Sequence, residues 1–324
     1  PSLWSVGYRP RFDFNWNDEG VKTVLRLMAP AVVAASAVQV NVMINTSFAT
    51  YCEKGSVTWL NSAFRLMQLP LGVFGVAIGT VTLPLLAKTV AVGDYVGFRQ
   101  ALARGMRLAF VLTIPSTVGL VFLAKPIIGL LYERGEFTSR DTVQAAAALQ
   151  FYAVGLVAYS GMKVLAPAFY AIDRRKTPMI VSFVAIGVNL LLNWFFTFRM
   201  GLGHRGLALS TGCVALINFL TLYVLMRAET RLLDTRLMLA TLVKLTVPTL
   251  LLAGVCWGAQ HTVLMYTAHA SFLVRAVALF STIGVAAALF FGVAMMLRLE
   301  ELEDVAGVLK RKLGRFTKRR KSAQ

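Results

Sequence analysis

Eight predominantly apolar stretches of about twenty or more residues run through this chain, at 22–49, 58–87, 102–124, 142–171, 178–199, 206–227, 238–258 and 273–297. Each is long enough to cross ~30 Å of hydrocarbon at 1.5 Å per residue. Inside a bilayer every backbone N–H and C=O must find a partner within the protein, which leaves helices and closed barrels. Barrel strands would be only about 10 residues long with strict alternation, and these blocks are longer and lack that alternation. The fold class is therefore all-α: a polytopic helical membrane protein with eight transmembrane helices. Only 15% of the 324 residues are charged and 57% are hydrophobic, against roughly 25% charged in soluble proteins.

The net charge of +18 would suit a nucleic-acid binder, but its distribution argues for a membrane topology. With the N-terminal flank taken as inside, 22 of the 33 Lys and Arg fall on the inner side and 6 on the outer. The other five (Arg26, Arg65, Lys163, Lys244 and Arg275) lie within helices. This is the positive-inside asymmetry, and it places both ends of the chain in the cytoplasm, with no nucleic acid among its partners.

Residues 1–21 form a polar lead that begins Pro1-Ser-Leu-Trp and reads like a loop cut open, the expectation being a piece of a longer protein. Six helices over 22–227 make one bundle. A charged linker follows at 228–237, then a plainer helix pair at 238–297 whose Lys244 and Arg275 sit near helix ends where they can snorkel. Residues 298–324 place Leu302, Val305, Leu309, Leu313 and Phe316 at three- and four-residue steps among basic residues. That pattern predicts an amphipathic tail on the inner leaflet, attracted to membrane lipids. Pro30, Pro70, Pro84, Pro115, Pro167 and Pro178 predict kinks in the six-helix bundle.

All fifteen carboxylates fall in loops or at helix ends, so no acidic pair is available for buried acid–base chemistry. Cys52, Cys213 and Cys256 and the three histidines are too scattered for a metal site or a disulfide framework. The chain reads as a non-enzyme with neither cofactor nor metal. What stands out is Arg65, two turns inside the second apolar block, where a guanidinium facing lipid would cost roughly 2.5–3.5 kcal/mol. It should face a wet, protein-lined cavity, and its planar fork suits a pyrophosphate. Lys163 is the second deep cation, with two readings: a cavity contact, or a side chain snorkelling inward. Gln39, Asn41 and Asn45 in the first helix, Asn189 and Asn193 one turn apart in the fifth, and Ser210 and Thr211 in the sixth form a polar group. They could hold a cation or simply bond helix to helix. Gly75 and Gly79 mark a close helix approach.

The run from Asn61 to Thr80, the segment from Lys163 to Tyr170 with Thr177-Pro178, the Gln39/Asn41/Asn45 helix and Gly206-Leu-Ala-Leu-Ser-Thr211 closely resemble the MurJ (MviN) family of lipid II flippases. The resemblance implies the multidrug/oligosaccharidyl-lipid/polysaccharide exporter fold, in which two six-helix lobes enclose a V-shaped cavity and two further helices line a lipid-tail groove. This chain would then be helices seven to fourteen, half of the V, partnered by an N-terminal lobe absent from it. The implied activity is flipping of the undecaprenyl-pyrophosphate-linked peptidoglycan precursor, lipid II, across the bacterial cytoplasmic membrane by alternating access. The substrate contacts implied on this lobe are Arg65, Gln68, Asn61 and Lys163. Some members of the family hold sodium among the first, fifth and sixth helices through acids at the positions of Asn45 and Asn193. Both are amides here, leaving Asn189 and Thr211 as a poor remainder. An O-antigen lipid flippase or drug/cation antiporter of the same superfamily, and a non-transporting scaffold for cell-wall synthesis, are the alternatives.

Overall fold

The computed structural model describes residues 18–230, 235–267 and 270–297, and every described regular element is a helix. In order these are α1 (Glu19–Thr50), α2 (Ser56–Pro70), a π-turn at Leu71–Gly75, α3 (Val76–Ala91), α4 (Tyr95–Tyr132), α5 (Ser139–Ala171) and α6 (Lys176–Trp194). A second π-turn at Phe195–Arg199 is followed by α7 (His204–Thr230), α8 (Thr235–His261), the short α9 (Val263–Tyr266) and α10 (Phe272–Met296). Among the described residues six helical stretches are long and apolar enough to span a membrane: Tyr95–Tyr132, Ser139–Ala171, Lys176–Arg199, His204–Thr230, Thr235–Tyr266 and Phe272–Met296. The chain is a multi-pass membrane protein. The first two apolar blocks correspond to the 32-residue α1 and to α2, π-turn and α3 in succession. The polar lead through 17, the middle of the linker (231–234) and the basic tail from 298 lie outside the described residues.

Helix boundaries follow local chemistry. Thr138 and Asp141 close a capping box at the start of α5, with Asp141 Oδ2 accepting from the Thr138 N–H at 2.7 Å. Asp94 caps α4 through a 2.8 Å bond from Gly97 N. Gly55, at φ +102°, makes the left-handed turn that launches α2. Pro70 lacks the N–H of the α-helical ladder and its ring crowds the carbonyl four residues back, so the chain widens into the π-turn at 71–75 without leaving helical dihedrals. Pro84, Pro115 and Pro167 are interior as expected. Pro178 is not, since it occupies the first turn of α6, where its missing N–H costs nothing.

The 33-residue α5 is the central post, packed by α2, α3, α4 and α7. Lipid supplies little hydrophobic drive between helices, so close approach by small residues does the work. A Cβ built on Gly155 of α5 would lie 2.9 Å from Gly212 Cα of α7. Two buried clusters fill the bundle at its two ends: Trp59, Met67, Leu149 and Leu156 at one, and Leu86, Phe98, Phe169 and Met226 at the other. A third, including Leu245, Leu252, Cys256 and Phe290, seats α8 and α10 against α4.

Candidate functional site

α1, α2, α5, α6 and α7 enclose a cavity of about 480 Å³, within the range of ligand sites. Its lining on α5 runs from Tyr152 to Tyr170, a length of about 27 Å at 1.5 Å per residue. Phe64 of α2 packs edge-on against Tyr152 with ring centroids 5.6 Å apart. That contact sets the register and puts the following residue, Arg65, beside the middle third of α5.

Arg65 is solvent-exposed and makes no hydrogen bond or ion pair with any described residue. It is not part of the cavity wall itself. Asn61 and Gln68 are, and at ~100° per residue the three share an arc of about 60° on α2. The guanidinium therefore stands at the rim of the polar strip. Lys163 lines the cavity. Its stem lies across the π-turn, with Cγ 3.4 Å from where a Gly75 Cβ would sit and its carbonyl 3.4 Å from the equivalent point at Gly79. The Gly75/Gly79 approach read from the sequence is thus the seat of α5 on the widened helix.

The amides assemble into one network across three helices. Asn193 Nδ2 donates to Asn45 Oδ1 at 2.7 Å and to Asn189 Oδ1 at 3.0 Å. Asn45 Nδ2 donates to Asn41 Oδ1 at 3.3 Å, and Ser210 Oγ bonds Asn193 Oδ1. Asn189, Asn193 and Ser210 are fully buried. Thr211 is not a member: its hydroxyl bonds back to the Leu207 carbonyl at 2.9 Å. Gln39 is exposed and stands outside the network. A cation at this place would need oxygens turned toward it and a negative charge to offset its own. Both neighbouring amide oxygens already accept from Asn193, and no carboxylate lines the cavity among the described residues. The residues present do not fit a cation.

Sequence reasoning missed part of the wall: Tyr152, Tyr159 and Tyr170 of α5 and Asn218 of α7. A signal was there, because Tyr152, Tyr159, Lys163 and Tyr170 step by seven, four and seven, one face of a helix. Asn61 and Gln68, and Thr211 and Asn218, are likewise seven apart. Also missed was a polar clasp at the α2–α5–α7 corner. Trp59 Nε1 donates to Asp141 Oδ1 at 2.7 Å, its ring meets His204 at 4.9 Å, and Arg205 Nη2 donates to Gln144 Oε1 at 3.0 Å. Glu53 and Arg140 pair beside it.

A multi-pass helical bundle around a polar concavity, with no carboxylate among its described lining residues and Arg65 at its rim, has the build of a membrane-transporter fold. Comparison makes that specific. A family model described as "Lipid II flippase MurJ" matches residues 1–278, and the chain belongs to this family. Curated relatives include the lipid II flippase MurJ of Burkholderia cenocepacia, 39% identical over 208 residues, covering 64% of this chain and 40% of that protein. The probable lipid II flippase MurJ of Buchnera aphidicola is 36% identical over 222 residues, covering 68% and 43%. This chain spans about two-fifths of the length of these relatives. A solved lipid II flippase MurJ in an inward closed conformation superposes with TM-score 0.65 at 25% identity, covering 88% of this chain and 57% of that one. An outward-facing multidrug resistance transporter of the MATE family, in the MOP superfamily, shares the fold at TM-score 0.57 and 14% identity, with 87% and 67% covered.

Proposed function

We propose that this chain works as the C-terminal part of a lipid II flippase, moving the undecaprenyl-pyrophosphate-linked peptidoglycan precursor from the inner to the outer leaflet by alternating access. The observation that carries the reading is the polar cavity, with no carboxylate among its described lining residues and Arg65 at its rim beside mid-α5. A pyrophosphate brings negative charge and many acceptor oxygens, and a guanidinium and an ammonium meet both needs. Residues 22–227 form the six-helix lobe, 238–297 the two-helix extension that takes the lipid tail, and an N-terminal lobe supplies the facing wall. Eight spans and both flanks on the cytoplasmic side of the bacterial inner membrane complete the topology. The uncharged Asn45–Asn193–Asn189 network serves as interhelical bonding, so this lobe turns over without a cation bound there. A drug/cation antiporter would call for a carboxylate in the wall, and none of the described lining residues supplies one.

The test is rescue of bacterial cells depleted of their own flippase by this chain with its N-terminal lobe. Arg65→Ala should abolish rescue while the protein still reaches the membrane. Full rescue by Arg65→Ala, as a non-transporting scaffold would give, overturns the reading.

A further inference from the structure

Away from the cavity, α10 packs on α4 at the end of the bundle that the positive-inside asymmetry reads as outer. Arg275 stands in the first turn of α10, on the face of Leu279, Thr282 and Ala286, all three buried. Its Nη2 lies 3.3 Å from the point where a Cβ on Gly129 of α4 would sit, and Gly129 is itself buried. A snorkelling side chain runs along its own helix toward water. This one crosses to the neighbouring helix, into a notch that the missing side chain of Gly129 leaves open.

Glu133, just past the end of α4, borders the same notch. Its Oε2 is 3.4 Å from the same point on Gly129. Both carboxylate oxygens are already engaged, Oε1 accepting from Ser139 Oγ at 3.1 Å and Oε2 from Thr142 Oγ1 at 2.7 Å. Arg275 is half-buried and makes no hydrogen bond or ion pair with any described residue. A guanidinium has five N–H donors, more than Glu133 alone could take up, so an anion can dock on the remaining edge. Lys125, exposed and one turn before Gly129 on α4, brings a second cation. Two cations against one carboxylate leave the place net positive.

Its level in the membrane decides which anion. Lys125 directly follows the apolar block 102–124, and Arg275 is the third residue of the block 273–297. Both therefore stand at the edge of the hydrocarbon, where lipid phosphates lie. Deeper along α10 the outer sides are apolar and open: Val274, Val277 and Phe280 are exposed, and nothing lies within 4 Å of a Cβ on Gly284. Donors at the rim above a long apolar track suit a lipid-linked pyrophosphate, whose several charges can engage both cations.

We infer that Arg275 and Lys125 form a second phosphate site, at the outer mouth of the two-helix extension, which holds the pyrophosphate of the lipid after it has crossed. The inference rests on the flippase reading and adds a release site to it. Arg65 meets the pyrophosphate at an earlier stage and Arg275 at a later one, while the tail stays along the extension. Product release limits many turnover cycles, and a carboxylate beside the two cations keeps the hold light.

The test is photolabelling of the two-lobed protein in phosphatidylcholine nanodiscs. The probe is undecaprenyl pyrophosphate with a diazirine on the isoprene unit next to the pyrophosphate, and labelled peptides are mapped by mass spectrometry. Two places should label: the cavity helices α2 and α5, and the α4–α10 contact around Gly129 and Arg275. Arg275→Gln should cut labelling of the second at least about tenfold, the worth of one charge-assisted hydrogen bond, and leave the first within about twofold. Lys125→Gln, at an exposed position, should cut the second by about threefold. Excess phosphatidylglycerol should leave both signals in place. Labelling of the cavity alone, an α4–α10 signal indifferent to both variants, or one erased by phosphatidylglycerol overturns the release site and leaves the flippase reading standing. Absence of labelling at both places overturns both.

Discussion

Asn193→Asp replaces one NH₂ group by one oxygen at the centre of the amide network. The Nδ2 of Asn193 now supplies two hydrogen bonds, at 2.7 Å to Asn45 Oδ1 and 3.0 Å to Asn189 Oδ1. An aspartate there loses both, about 0.6 kcal/mol each by the standard of interhelical bonds in membranes. It also turns an acceptor toward two acceptors, so the buried Asn189 Oδ1 loses its donor at a cost of about 1–3 kcal/mol, and the half-buried Asn45 Oδ1 at less. The expected total is about 2–6 kcal/mol in sodium-free buffer, a loss large beside ordinary point mutations. The same three converging oxygens, now with a charge, are what a sodium ion lacks in the unmutated protein. Sodium at 100 times its dissociation constant would return about 2.7 kcal/mol. Thermal unfolding of the purified two-lobed protein in sodium, potassium and choline buffers of equal ionic strength makes the comparison. The variant's Tm should rise in sodium, and the unmutated protein's should be the same in all three. A sodium-dependent Tm or flipping rate in the unmutated protein would refute the argument that the amide satisfies this place without an ion.

Trp59→Phe keeps the ring in its buried slot but removes the 2.7 Å bond to Asp141, so unfolding should become easier by about 1 kcal/mol in chemical denaturation. Gly155→Ala would drive a Cβ to 2.9 Å from Gly212 Cα, where backbone cannot yield, and should destabilise by about 1–3 kcal/mol. Gly187→Ala, with nothing within 4 Å, should be neutral or stabilise by up to about 1 kcal/mol. Glu53→Gln breaks an ion pair whose Arg140 side chain is 71% exposed, and the shift in Tm should correspond to less than about 1 kcal/mol.

The helical class and the positions of the long apolar blocks were legible along the chain, because membrane insertion acts on local composition: twenty apolar residues must become a helix whatever surrounds them. Spacing also announced the Asn189/Asn193 pair and the glycine approach at 75 and 79, since one turn of helix fixes which side chains share a face. Which partners those faces would meet was another matter. Asn45 and Asn193 are 148 residues apart in the chain, and their meeting, the exclusion of Thr211 from the network, and the place of Arg65 at the rim of the cavity all depend on how helices rotate against one another. Rotation is decided by the small-residue contacts of α5 and by the π-turn behind Pro70, quantities that exist only between elements. The tyrosines at 152, 159 and 170 make the point most plainly. Their periodicity marks a face, but only the packed bundle turns that face toward the cavity.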